Sequence, residues 1–178
     1  DLIVSRGLGD VYKRQIWEKK GRIGFIGLGN MGSAIAMRLT KPKIDGLPLM
    51  VYDPDSIKLA PFIERGAIAA KSALELCKSC DIIFACLPTS AVTETVLFGD
   101  AGISRDLKPG QIFVDMTSGD PAISRDQAAR LAKAGVIFVD APVSGGPRGA
   151  REGTIAIMVG GEGKLYEQIL PTLKVISC

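Results

Sequence analysis

The chain has 178 residues, 22 Lys plus Arg against 19 Asp plus Glu, a formal net charge of +3 and no histidine. That charge is too small to build a field for nucleic acid or an anionic membrane, and no apolar run reaches the roughly 18 residues of a membrane-spanning helix. Without histidine there is no Ser-His-Asp or Cys-His nucleophile system and no histidine metal site, so acid–base work would fall to Lys, Asp, Glu, Tyr or Cys.

Residues 1–20 do not match the rest of the chain. Asp1 to Gln15 show no clean period and read as an extraneous tail, and Trp17 to Lys20 as a polar lead-in. The domain is expected over residues 21–178. With no secretory pattern at the start, a cytoplasmic location is the default expectation.

From Arg22 the pattern becomes regular. Ile23 to Ile26 is an apolar run of strand length. The glycine-rich segment 27–32 comes next, and Met31 to Lys41 has helical spacing, broken by Pro42 and Gly46. Leu47 to Tyr52 reads as a second strand. Ser56 to Arg65 reads as a helix with Gly66 at its C′ position. Ala67 to Ala69 is a short third strand, and Ser72 can cap a helix through Lys78. Asp81 to Leu87 is a fourth strand stopped by Pro88, with a helix over Ala91 to Leu97 and a loop over Gly99 to Gly110 after it. Gln111 to Met116 is a fifth strand. Pro121 to Ala134 is a helix with proline in its first turn and Gly135 after its end. Val136 to Asp140 is a sixth strand, Pro142 to Gly153 a Gly-rich loop, Thr154 to Val159 a seventh strand and Lys164 to Leu173 a last helix. Strands alternating with helices predict an α/β fold with a doubly wound, mainly parallel sheet. The final residues, Leu173 to Cys178, carry no capping or breaker signal and read as a truncation.

Of the four cysteines, Cys77 and Cys80 form a C-x-x-C pair. One pair without a second pair or a histidine is an incomplete zinc site. The plainer expectation is two small residues one turn apart at a helix end, kept reduced in a cytosol. No metal is expected.

The chemistry gathers at strand ends. Gly27-x-Gly29-x-x-Gly32 lies after a strand and opens a helix, and Asp53 ends the next strand about 20 residues on, which is the fingerprint of dinucleotide binding. Gly27 permits the tight turn, Gly29 lets the backbone approach a pyrophosphate, and Gly32 lets helix pack on strand. Asp53 is placed to accept hydrogen bonds from the adenosine ribose, or else simply caps the next helix. No arginine comes directly after it, which favours NAD over NADP. Leu87-Pro88 closes the fourth strand, Thr117-Ser118 the fifth, and Ser144-Gly145-Gly146 lies past the sixth, on the edge where open α/β sheets bind ligands. Ser144 and the two glycines offer a hydroxyl and successive N–H groups suited to a carboxylate. Arg148 and Arg151 either add positive potential there or are solvated loop charges.

Three runs together carry a family resemblance: Gly27-Leu28-Gly29-Asn30-Met31-Gly32, Asp115-Met116-Thr117-Ser118-Gly119-Asp120-Pro121 and Asp140-Ala141-Pro142-Val143-Ser144-Gly145-Gly146. From about Arg22 to Ile176 the chain resembles the 3-hydroxyisobutyrate dehydrogenase family of β-hydroxyacid dehydrogenases, with a 6-phosphogluconate dehydrogenase-like NAD-binding domain. The resemblance implies a Rossmann domain and, after it, an all-helical domain that this chain lacks. Beside Gly27 to Gly32 and Asp53, which the fingerprint already assigns to the cofactor, it implies that Leu87, Pro88 and Ser118 contact the cofactor, and Ser144, Gly145 and Gly146 the substrate carboxylate. Thr117-Ser118 stand where the family often has Ser-Thr, a mild departure that keeps both hydroxyls. The acid–base lysine it implies, in a G-x-x-x-K-x-x-x-N pattern, is expected beyond Cys178. Lys164 and Lys174 do not fit the pattern, so no catalytic residue is assigned.

The expected parent is an NAD-dependent oxidoreductase of small 3-hydroxy acids, a homo-oligomer at full length, of which this chain alone binds cofactor without turnover. The alternatives are an NADP-dependent semialdehyde reductase and, in another class, a non-catalytic dinucleotide-binding or interaction domain.

Overall fold

The computed structural model describes residues 21–40, 48–160 and 163–177. The expected tail over residues 1–20 and the breakers Pro42 and Gly46 lie outside the described residues.

Six parallel strands form the main sheet in the order β3-β2-β1-β4-β5-β6. They are β1 (Ile23–Ile26), β2 (Met50–Tyr52), β3 (Ile68–Ala69), β4 (Ile82–Ala85), β5 (Ile112–Asp115) and β6 (Ile137–Asp140). Strand order reverses beside β1, so the C-terminal ends of β1 and β4 open the crevice that such sheets use for ligands. Side chains alternate across the strands. Phe25 of β1 sits opposite Phe84 of β4, with ring centroids 6.3 Å apart, on one face. Ile26, Ile83 and Phe113 line the other core.

Helices cover both faces. On the Phe25 face lie α1 (Asn30–Leu39), the turn and short helix α2 (Ala60–Ile63), α6 (Gly146–Glu152) and α7 (Gly163–Ile176), through Ile35, Phe62, Ala150 and Ile169 among others. On the Ile83 face lie α3 (Ala73–Ser79), α4 (Ser90–Phe98) and α5 (Pro121–Ala132), through Leu76, Leu97 and Leu131. Caps set their starts: Ser72, Thr89 and Asp120 each accept a first-turn backbone N–H. Among the described residues no helix is long and apolar enough to cross a membrane.

The expected elements hold in order and differ in extent. Helix 56–65 is broken into a 3-10 turn, Ser56–Leu59, and the single turn of α2, because Pro61 lacks the N–H that would continue the first into the second. The stretch 142–153, expected as a loop, contains a strand β7 (Val143–Ser144) and the helix α6. Three features build that helix despite its glycines: Pro147 in the first turn, an Arg148–Glu152 pair at i,i+4, and Gly153 in the left-handed cap at φ 77°. The expected seventh strand is only β8 (Ala156–Ile157). It pairs antiparallel with β7 in a separate ribbon and does not join the main sheet as the alternation implied. The pairing comes from the chain turning back: Met158 N–H donates to Pro142 O and Gly160 N–H to Asp140 O.

Cys77 and Cys80 are buried, and burial pushes both thiols up to about 12. They act as packing residues, as the sequence implied. Between them Gln111 serves as a cap: its amide donates to Cys77 O at 2.7 Å and Cys80 O at 2.6 Å. Gln111→Leu is expected to cost about 1–3 kcal/mol, since two buried carbonyls lose their donor. A lower urea midpoint with an unchanged slope checks this.

Candidate functional site

A cleft of about 670 Å³ opens at the C-terminal ends of β1, β2 and β4. The glycine turn forms its floor. Gly27 has φ 91°, where a side chain is strained, and a Cβ there would also overlap the Cys86 carbonyl. A Cβ on Gly32 would overlap the Gly27 carbonyl oxygen. Gly29 differs from both: its backbone is ordinary (φ −67°, ψ −170°) and a Cβ would meet nothing within 4 Å. The fold leaves space above Gly29 and has no need of glycine there. Gly29 is also the N-cap of α1 and supplies no side-chain cap, nor is there an acidic residue in the first turn. The first N–H groups of that helix therefore face the cleft without a side-chain acceptor, as an anion site requires. These features fit a diphosphate.

Asp53 ends at the cleft but is already engaged. Its carboxylate accepts from Leu28 N–H at 2.7 Å and Asp55 N–H at 2.9 Å, and pairs with Lys58 Nζ at 3.1 Å. Burial pushes its pKa up, and the two N–H donors and Lys58 outweigh that and hold it below the ordinary value. Helix capping, the alternative reading for Asp53, falls instead to Asp55, which accepts from Ile57 N–H. So Asp53 first fixes the glycine turn to β2. Lys58 is a site residue that the sequence reading missed: it lines the cleft and puts a positive charge beside Asp53. Its signal is a basic residue about one turn after the acidic strand end, which an eye for arginine directly after Asp53 passes over.

Gly27, Gly29, Asn30, Met31, Gly32, Asp53, Leu87 and Pro88 line one cleft. Leu28 does not line it: its side chain is buried in the core and its N–H serves Asp53. An apolar part of the wall, Ala73, Val92 and Val96, comes from α3 and α4, with Thr95 and Asp100 beside it. It suits a flat heterocycle. No local pattern announces it, because Val92 and Val96 read as ordinary helix positions.

Ser118, Ser144, Gly145 and Gly146 lie outside that cleft, beyond the ends of β5 and β6. Ser118 Oγ is exposed and donates to Val143 O at 3.5 Å, so the two expected regions are joined there. Gly145 and Gly146 have φ 128° and 67°, both in the region that favours glycine. Arg148 is paired with Glu152, and the Arg151 carbonyl accepts from Arg38. Behind this end, Asp115 and Asp140 sit side by side on β5 and β6. Burial raises both pKa values, against hydrogen bonds from Thr117 and Thr93 to Asp115 and from Ser124 to Asp140. Among the described residues no group of three His, Cys, Asp or Glu side chains could hold a metal ion.

A parallel sheet reversing at β1, a glycine turn under open space and an acidic end to β2 define a dinucleotide-binding domain. Residues 22–178 match the family described as the NAD binding domain of 6-phosphogluconate dehydrogenase, and the chain belongs to that family. It is 40% identical over 160 residues to 2-(hydroxymethyl)glutarate dehydrogenase of Eubacterium barkeri, covering 90% of this chain and 52% of that protein. It is 42% identical over 144 residues to the mitochondrial 3-hydroxyisobutyrate dehydrogenase of Mus musculus, covering 80% of this chain and 42% of that one. The solved Mycobacterium tuberculosis 3-hydroxyisobutyrate dehydrogenase with L-serine superposes at TM-score 0.80, with 28% identity over 89% of this chain and 53% of that chain. The chain spans about half the length of these relatives.

Proposed function

We propose that this chain is the cofactor-holding part of an NAD-dependent oxidoreductase acting on small 3-hydroxy acids. The observation that carries the cofactor half of this reading is the open space above Gly29, at the uncapped start of α1. The nicotinamide, when bound, supplies the hydride acceptor. The residues here hold and orient it. The α1 amides receive the diphosphate, the Ala73, Val92 and Val96 wall takes the adenine, and Leu87 and Pro88 bound the part beyond the diphosphate. Ser144, Gly145 and Gly146, past β6 and two strands further on, receive the substrate carboxylate. The relatives named for hydroxy acid oxidation support the substrate class.

A second reading, NADP-linked reduction of a semialdehyde, is favoured by Lys58, whose ammonium is placed to meet a phosphate on the adenosine ribose.

Titration of the 178-residue chain with NADH tests the cofactor half. Saturable binding is expected, and its absence would sink the reading. No turnover of 3-hydroxyisobutyrate, L-threonate or glycerate is expected, because the lysine pattern that the resemblance implies is not in this sequence. Robust NAD reduction by the chain would place the acid–base group within residues 1–178.

A further inference from the structure

The loops after β4 and β5 are fastened to each other by buried hydroxyls. Leu87 N–H donates to Thr117 Oγ at 3.0 Å. Thr93 Oγ lies 3.5 Å from the same oxygen and, like the Thr117 hydroxyl, hydrogen-bonds the Asp115 carboxylate. Further out, Asp120 N–H donates to Ser90 Oγ at 2.8 Å, and Gly119 lies so close that a Cβ would overlap that hydroxyl. Thr93, Asp115 and Thr117 are all buried.

A hydroxyl has one proton to give and two lone pairs to receive with. The Thr117 oxygen accepts from Leu87 N–H, and the single proton of the Thr93 hydroxyl goes to Asp115. The Thr117 proton is also given to Asp115, which accepts from Thr117 N–H at 3.0 Å as well. Asp115 thus fixes the orientation of the hydroxyl that Leu87 leans on.

The place of this network matters more than its existence. Cys86 N–H is still in the sheet ladder, bonded to Ile26 O, whereas Leu87 has left it and Pro88 has no N–H. The hydrogen bond from Leu87 N–H to Thr117 therefore sets where the cleft wall stands. Thr117 is also the residue before Ser118, so one hydroxyl fixes β4's wall to the strand end that bears Ser118.

We propose that Thr117 is a positioning residue for the nicotinamide half of the cofactor, acting through Leu87-Pro88 on one side and Ser118 on the other. This rests on the reading of the cleft as a dinucleotide site. The adenosine half is held by the glycine turn and the Ala73, Val92 and Val96 wall, to none of which Thr117 is hydrogen-bonded.

The test compares NADH with ADP, which carries the adenosine and diphosphate and nothing beyond them. Thr117→Val keeps the shape and removes the hydroxyl. It is expected to weaken NADH by about 5-fold, the scale of one lost hydrogen bond, and to leave ADP within about two-fold. Thr117→Ser is expected to restore NADH binding. Equal losses for both ligands, or no loss for NADH, would overturn the proposal while leaving the dinucleotide reading intact. If the unmutated chain binds neither ligand, both fall. Should Thr117→Val not fold, Thr93→Val removes the hydroxyl that lies 3.5 Å from the Thr117 oxygen and shares its Asp115 acceptor. NADH should then weaken at least about two-fold with ADP unchanged, and unchanged NADH affinity overturns the proposal.

Discussion

Gly29→Val is expected to lower NADH affinity at least ~10-fold, or about 1.4 kcal/mol, with the melting temperature unchanged within error. The two halves of that expectation come from one geometry. The backbone at Gly29 is one any residue adopts, and a Cβ there meets no protein atom within 4 Å. Protein stability therefore does not register the change. A branched side chain would fill the space over the first amides of α1, where the diphosphate must approach. Gly32→Ala should behave in the opposite way. Its Cβ would overlap the Gly27 carbonyl oxygen and press on Cys86. Overpacking of that kind costs about 1–3 kcal/mol, so the melting temperature should drop. Unchanged NADH affinity in Gly29→Val would put the phosphate site elsewhere, and a large loss of stability would make Gly29 a structural glycine like its neighbours.

The second large effect concerns the Asp53–Lys58 pair. The unmutated chain is expected to bind NADH at least ~10-fold more tightly than NADPH, because a ribose phosphate would sit against the Asp53 carboxylate with Asp55 nearby. Lys58 moderates that repulsion, being 3.1 Å from Asp53 and 41% exposed. Lys58→Ala should widen the gap by weakening NADPH, and the difference should shrink with added salt, since exposed charges are screened. Asp53→Asn should narrow it. Asp53→Ala would also narrow it but is the poorer probe, since it strands the N–H groups of Leu28 and Asp55 and costs about 1–3 kcal/mol in stability. The carboxylate also makes a pH statement. Its folded pKa is depressed, so its contribution to stability is full above the ordinary carboxylate pKa and is lost as pH falls through the folded value. Equal or tighter binding of NADPH by the unmutated chain would favour the reductase reading.

Some parts of this molecule were legible because their signal is local. The Ile23–Ile26 run, the glycine turn and the acidic end of β2 fall within about thirty residues. Each comes from a rule about a few neighbouring positions: apolar runs bury, glycine turns tightly, helix starts draw anions. Gly66 and Gly135 mark the helix exits, with φ 85° and 71°, but each lies two residues past the C-cap, Glu64 and Lys133, so Gly66 is not at the expected C′ place. Where a rule had to weigh competing signals it failed. The glycines of 142–153 argued for a loop, and a proline, an i,i+4 ion pair and a left-handed cap outweighed them to make α6.

What the sequence determined by itself was the order of the six main-sheet strands and the helices between them, the doubly wound class and the chemical type of the site, because period, breakers and the glycine fingerprint act over short distances. The tertiary structure alone decided which partners those residues meet. It turned β7 and β8 into a separate antiparallel ribbon, engaged Asp53 with Leu28 and Lys58, and buried the hydroxyls of Thr93 and Thr117 against Asp115. Those contacts join residues up to some thirty positions apart, such as Leu87 and Thr117. They exist only because parallel pairing of β1, β2, β4 and β5 brings distant strand ends to one edge, a distance-dependent fact that no local pattern encodes.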